Sequence, residues 1–173
     1  MLAFWRAAGP DKWFTKDAAF DDEIGRRFLA TYEAGAGGRL AAWEQTPEDA
    51  LALLIVLDQF PRNMFRRDAR TYAADPLARA VAARALARGF DQNFSPAEQT
   101  FFYLPFEHSE DIADQERGLA LFNATGDAEL TKYAQAHVDI IRRFGRFPHR
   151  NAILGRSTTP EEQAFLDGGG FAG

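Results

Sequence analysis

The stretch DAELTKYAQAHVDIIRRF, residues 127–144, decides the fold class. Its apolar side chains recur at helical spacing, so they share one face of an α-helix. That face comprises Leu130, Tyr133, Ala134, Ile141 and Phe144, with His137 among them. The segment therefore predicts an amphipathic helix that packs one side against a core.

A second helix signal, a capping residue followed by proline, recurs four times along the chain. It occurs at Thr46-Pro47, Asp75-Pro76, Ser95-Pro96 and Thr159-Pro160. The capping oxygen accepts a hydrogen bond from an otherwise unpaired amide, and proline at the first helical position sacrifices no hydrogen bond. In three of the four an acid follows at the third helical position, as in a capping box. Each dipeptide predicts a helix start.

The remaining helical patterns complete an all-α prediction. They cover residues 18–34, 49–58, 80–87 and 109–125. No segment shows the sustained two-residue alternation of a half-buried strand. Short connections predict an antiparallel helical array, either an α-solenoid or a compact bundle. We expect a single domain over residues 1–167 and a flexible Gly-rich tail over residues 168–173.

Composition excludes several classes of function. The net charge of −5 disfavours nonspecific nucleic-acid binding, which needs a basic face. The absence of cysteine excludes disulfides and thiolate chemistry. The N-terminus lacks the pattern of a signal peptide. The longest apolar stretch, residues 51–57, is far shorter than the ~20 residues of a membrane span. We expect a cytoplasmic protein with neither nucleic-acid nor membrane partners.

The first polar segment is DQFPRN, residues 58–63. Asp58 continues the apolar stripe of its helix, which we expect Pro61 to end. A carboxylate there meets the negative end of the helix dipole and loses solvation, so it needs a partner such as Arg62. Asn63 follows as a further polar candidate. The segment is either one wall of a site or a structural ion pair that locks the turn.

The second polar segment is PFEHSE, residues 105–110. We expect Pro105 to end an aromatic helix, and His108 or Ser109 to begin the next one. Glu107 and His108 are then candidates for an acid–base pair or for metal ligands. Alternatively, Glu110 simply favours the positive N-terminus of a helix.

The third polar segment is GRFPHRN, residues 145–151. Arg146, His149 and Arg150 crowd a short loop stiffened by proline, and their charges repel unless an anion is near. That anion is a carboxylate of the chain or a ligand. The three histidines, His108, His137 and His149, match no metal motif in their spacing, so we expect neither a metal nor another cofactor. His137 alone is also typical of a core residue.

The motifs LDQFPRNMFR, PFEHSED and FGRFPHRNAILGR resemble those of a bacterial tetratricopeptide-like (TPR-like) family of unknown function. The resemblance covers nearly the whole chain and implies a TPR-like helical fold without supplying a reaction. The family's polar motif positions correspond to Asp58, Gln59, Arg62, Asn63, Glu107, His108, Glu110, Asp114, Gln115, His137, Arg146, His149, Arg150 and Asn151.

These residues predict a polar pocket that binds a small anion or an acidic peptide end. In that hypothesis Arg62, Arg146 and Arg150 hold a carboxylate or phosphate through charge-assisted hydrogen bonds. One alternative is an enzyme, metal-dependent or using His149 or His108 as a base beside Glu107. The others are a protein-interaction scaffold and a buried polar network that only stabilises the fold.

Overall fold

The structure, a computed structural model, describes residues 1–171, and no β-strand occurs among them. The predicted all-α class is confirmed. The α-helices are α1 (Leu2–Ala8), α2 (Pro10–Trp13), α3 (Ala18–Ala36), α4 (Pro47–Leu54), α5 (Phe60–Met64), α6 (Asp75–Ala87), α7 (Pro96–Glu107), α8 (Ile112–Thr125), α9 (Ala128–Phe144) and α10 (Pro160–Asp167). Short 3-10 helices cover Ala41–Gln45, Ala69–Tyr72, Phe90–Asn93 and Pro148–Arg150. None of the helices described in residues 1–171 has the length and apolar character that crossing a membrane requires.

The chain divides into two compact units, residues 1–105 and residues 106–173, and each is described by itself. The boundary falls within α7. The single domain expected over residues 1–167 and the flexible tail expected over 168–173 stay predictions. Residues 172 and 173 lie outside the described part of the chain.

Helix starts follow the capping dipeptides with one difference. Thr46 caps α4, and Thr159 caps α10 in a complete capping box with Glu162. The helix α7 begins at Pro96, as predicted. Asp75 instead lies inside the first turn of α6, whose N-cap is Ala74. Its carboxylate is not a cap because it binds an arginine side chain.

The first unit is built around α4, whose residues from Ala50 onward are buried. A π-helical turn, Ile55–Gln59, joins α4 directly to α5. The expectation that Pro61 ends the helix is wrong, because the wider turn leaves Pro61 in the first turn of α5. A missing N–H has little cost at that position. The turn also keeps Asp58 and Gln59 inside the core.

The second unit contains the antiparallel pair α8 and α9, joined through Gly126, which has a left-handed backbone (φ +74°). The side chains of Ile140, Ile141 and Phe147 form a buried apolar cluster in this unit. The expected helix end at Pro105 is wrong, since α7 continues through it to Glu107. The next helix begins at Ile112 with Asp111 as its cap, later than the expected start at His108 or Ser109.

Candidate functional site

In the first unit, Arg62 joins two buried carboxylates. Its Nη1 and Nη2 donate to the two carboxylate oxygens of Asp75 at 2.9 and 3.0 Å. Nη1 also donates to the Asp58 carbonyl at 2.7 Å and lies 3.4 Å from Asp58 Oδ1. Burial alone would lower the pKa of Arg62, but the charges of Asp58 and Asp75 raise it overall. Arg62 is thus a cationic partner of Asp58, which also accepts a hydrogen bond from Gln59 Nε2 at 2.5 Å. Asn63 donates to Asp21 at 2.7 Å.

In the second unit, the loop after α9 begins at Gly145, whose left-handed backbone (φ +68°) ends the helix. The ring of Phe147 is fully buried and anchors the loop. Glu110 accepts hydrogen bonds from the Phe147 amide at 2.8 Å and from Arg156 Nη1 and Nη2 at 2.7 and 3.0 Å. Burial raises the pKa of Glu110, but the hydrogen bonds from Arg156 and Phe147 lower it overall.

A second carboxylate, Glu162, ties the same loop to α10. Arg146 Nε and Nη2 donate to its two oxygens at 2.6 and 2.9 Å, and the Thr159 amide donates at 2.7 Å. Asn151 Nδ2 adds a bond at 3.3 Å. The hydrogen bond from Arg146 is the main reason that the pKa of Glu162 falls to about 2. The guanidinium of Arg146 is therefore held by a carboxylate of the chain.

Five polar side chains of the second unit form what we call the imidazole cluster. They are Glu107, His108, His137, His149 and Arg150. The rings of His137 and His149 each lie 5.5 Å from the ring of Phe147, measured between centroids. The guanidinium carbon of Arg150 lies 4.4 Å from the centre of the same ring. Arg150 Nη1 donates to the backbone carbonyl of His108 at 3.0 Å, and the charge of the His108 side chain acts on His137.

His137 is oriented by two neighbours. Its Nδ1 lies 2.8 Å from the Tyr133 carbonyl and 3.4 Å from Glu107 Oε1. Because a carbonyl only accepts, Nδ1 carries the proton and Nε2 is an acceptor. Burial lowers the pKa of His137 to about 4, and the charges of His108 and Arg150 add to this. The ring is therefore neutral at pH 7.

His149 is half-buried and is the central residue of the short helix Pro148–Arg150. Its Nδ1 is buried and has no hydrogen-bond partner within residues 1–171. Burial, followed by the charge of Arg150, lowers the pKa of His149 to about 4. An unpaired buried nitrogen costs about 1–3 kcal/mol, so this atom is available to a ligand or a water molecule.

The structure thus divides the sequence-predicted residues into three groups. Glu107, His108, His137, His149 and Arg150 come together in the imidazole cluster. Glu110 and Arg146 tie the loop in place. Asp58, Arg62 and Asn63 belong to the first unit. Glu107 Oε1 lies 3.4 Å from Nδ1 of His137, and the expectation of a base at His108 or His149 beside Glu107 stays a prediction. Within residues 1–171, no group of three or more His or acidic side chains is arranged to hold a metal.

Sequence reasoning missed three residues of the second unit. Arg156 pairs with Glu110. It was not predicted as a site residue, although it belongs to the same motif, FGRFPHRNAILGR, as Arg146 and Arg150. From the sequence, Glu162 is predicted only as the acid of a capping box. Nothing in that motif indicates that its carboxylate also binds Arg146. Phe171, in the Gly-rich tail, contacts both His137 and His149. Its only signal is that it is the one large apolar residue of the tail.

Comparison with known proteins gives one family and one similar structure. The model of a family described as a bacterial protein of unknown function, DUF924, matches residues 1–170. The structure of the protein of unknown function ATU0120 from Agrobacterium tumefaciens is similar, with a TM-score of 0.93 and 51% identity. The match covers 96% of this chain and 94% of that one. No curated protein matches. The TPR-like character expected from the motifs stays a prediction.

Proposed function

This chain belongs to the bacterial DUF924 family, and we propose that its imidazole cluster binds a small anionic ligand. One observation carries the proposal: the buried Nδ1 of His149 has no hydrogen-bond partner within residues 1–171. A protonated Nδ1 donates to a ligand oxygen, which removes the cost of the unpaired atom. Arg150, only 6% exposed, lies beside it and supplies positive charge.

Arg150 is the arginine best placed for this role. Hydrogen bonds from a guanidinium to an anion are about twice as strong as neutral ones, and burial strengthens them further. The Arg150 guanidinium lies on the face of the Phe147 ring, which also contacts His149. We therefore assign ligand binding to Arg150 and His149, and assign positioning of the loop to Arg146, which binds Glu162.

An anion in this position changes the protonation of His149. Its negative charge raises the pKa of the imidazole from about 4, so binding takes up protons as the pH falls. The affinity for the anion is expected to increase as the pH falls from about 7 toward 5. It levels off below the pKa of the free protein, where His149 is protonated in both states.

Calorimetric titration with acetate tests the proposal. Acetate stays ionised between about pH 7.5 and pH 5.5, so the change in affinity reports the protein. We expect tighter binding and proton uptake at the lower pH. Arg150→Met and His149→Phe should each weaken binding by about tenfold or more. Arg142→Met is the control, because Arg142 is exposed and, within residues 1–171, pairs with the exposed Glu116. Absence of acetate binding at both pH values, or equal binding by Arg150→Met, would contradict the proposal.

A second candidate, acid–base catalysis, is favoured by the 3.4 Å contact between Glu107 Oε1 and His137 Nδ1. A carboxylate there stabilises the imidazolium that forms when Nε2 takes a proton. The test is deuterium exchange at the carbon next to the keto group in a panel of small keto acids, followed by NMR in heavy water. Exchange that is accelerated by the protein and lost in His137→Phe supports catalysis; no acceleration for any acid opposes it.

A further inference from the structure

The ring of Phe171 lies against both imidazoles of the cluster. Its centroid is 4.4 Å from that of His137 and 5.4 Å from that of His149. Both contacts are edge-to-face, with interplanar angles of 64° and 72°. Such arrangements are the preferred geometry of aromatic pairs. A six-membered ring from the chain's own tail thus occupies a subsite whose walls are two histidines.

The two glycines before Phe171 allow the chain to turn back toward the imidazole cluster. Gly169 has a left-handed backbone (φ +77°), which disfavours other residues. A Cβ at Gly170 would lie 2.6 Å from the ring of Phe165, closer than atoms can approach. The chain therefore needs glycine at both positions to turn after α10. This local sequence directs Phe171 to the imidazoles.

The subsite has the properties of a pocket for a flat apolar group. Both imidazoles are neutral at pH 7, so a ring does not have to displace strongly hydrated charges. The buried Phe147 ring contacts the same two histidines and carries Arg150 on its face. The Phe147 ring thus supplies an apolar contact surface beside the two histidines, and the positive charge of Arg150 lies next to it. Phe171 itself remains half-buried, so less apolar area opposes its release than for a core residue.

We propose that the ligand is a small aromatic carboxylate whose ring replaces that of Phe171 between His137 and His149. Its carboxylate is held by Arg150 and His149, so this inference rests on the proposed anion site. Phe171 then acts as a built-in competitor. The apparent affinity of the wild-type protein is the intrinsic affinity multiplied by the fraction of molecules in which Phe171 has left the subsite. It is therefore lower than the intrinsic affinity.

The experiment compares benzoate with acetate, two carboxylates of equal charge, by calorimetric titration at one pH and ionic strength. We expect benzoate to bind the wild-type protein more tightly than acetate does. In Phe171→Ala the affinity for benzoate should increase about fivefold or more, while that for acetate changes less than twofold. Equal affinities for the two probes, or a benzoate affinity unchanged by the substitution, would overturn the inference. If neither probe binds either protein, the anion site itself is wrong.

Phe144→Ala is the matched control. Phe144 is a partly buried phenylalanine that packs against the same apolar cluster, and its aromatic contact is with Phe165 rather than with a histidine. Loosening of the unit alone would raise benzoate binding in both variants, which would also oppose the inference.

A measurement on the wild-type protein removes any dependence on the folding of the variants. Benzoate, and not acetate, should shift the ring resonances of Phe171, and their insensitivity to benzoate would contradict displacement.

Discussion

At the scale of single residues, Glu162 should be among the carboxylates whose charge matters most to stability. It is only 2% exposed and accepts hydrogen bonds from Arg146, Asn151 and the Thr159 amide. Glu162→Gln keeps the size of the side chain but leaves Arg146 without an opposite charge. We expect the free energy of unfolding to fall by about 2 kcal/mol in urea denaturation.

The neighbouring glutamate provides the control for this substitution. Glu161 pairs with Arg143, and both side chains are more than half exposed. Glu161→Gln should therefore change the free energy of unfolding by less than about 0.5 kcal/mol. Similar effects of the two substitutions would mean that the Glu162 network does not lock the loop.

By the same reasoning Arg146→Ala should lower the melting temperature, as expected for a structural arginine.

At the scale of helices, the approach of α8 to the end of α7 depends on Gly118. A Cβ at this position would lie 3.3 Å from the amide nitrogen of Glu107 and 3.3 Å from Cβ of Phe106. Neither neighbour is the flexible end of a side chain, so the two helices must separate. We expect Gly118→Ala to lower the free energy of unfolding by about 1–2 kcal/mol, despite the better helix propensity of alanine.

Gly25→Ala in α3 is the comparison for that experiment. Its nearest neighbour would be the Met64 side chain at 4.0 Å, an ordinary contact. Without a clash, the propensity of alanine should stabilise the protein by about 0.5–1 kcal/mol. Thermal unfolding of the two variants checks the difference in sign. Stabilisation of both would show that α8 tolerates a methyl group next to Glu107.

Helix existence was predictable from the sequence, whereas helix continuation through proline was not. Capping oxygens and apolar periodicity are local signals, which is why Thr46, Thr159 and the helix α9 were identified correctly. Pro61 lies in the first turn of α5 after a π turn, and Pro105 is buried within α7, which continues through it. The accommodation of these prolines depends on residues distant in sequence, which propensity does not describe.

The partners within the site were predictable only by residue type. The sequence indicated that the loop cations need an anion, but carboxylates across the fold were equivalent candidates. The structure pairs Arg146 with Glu162 and Arg156 with Glu110. Such pairings depend on tertiary distances of a few ångströms. The contacts of Phe171 with the two histidines were equally hidden, because a tail rich in glycine carries no periodic pattern.

At the scale of the whole molecule, the pKa values predict loss of stability in acid over two ranges. The pKa of His137 is about 4 in the folded chain, against an ordinary value of 6.5. The unfolded chain therefore binds more protons between these values, and stability falls as the pH decreases from about 6.5 to 4. His149, whose pKa is also lowered to about 4, adds to this loss in the same range. Glu162 acts lower, between its ordinary 4.5 and about 2.

The first range can be assigned by substitution. Between pH 7.5 and pH 5, His137 accounts for up to about 2 kcal/mol of the lost stability, because one pKa unit corresponds to about 1.4 kcal/mol. His137→Phe removes one of the two titrating imidazoles, so its free energy of unfolding should change by about 2 kcal/mol less between the two pH values, while the contribution of His149 remains. Phe144→Ala destabilises the same unit without removing a titrating group and should keep the full pH dependence. An unchanged pH dependence in His137→Phe would mean that burial does not lower the pKa of this imidazole. The ring of His137 would then not be the neutral surface on which the aromatic subsite depends.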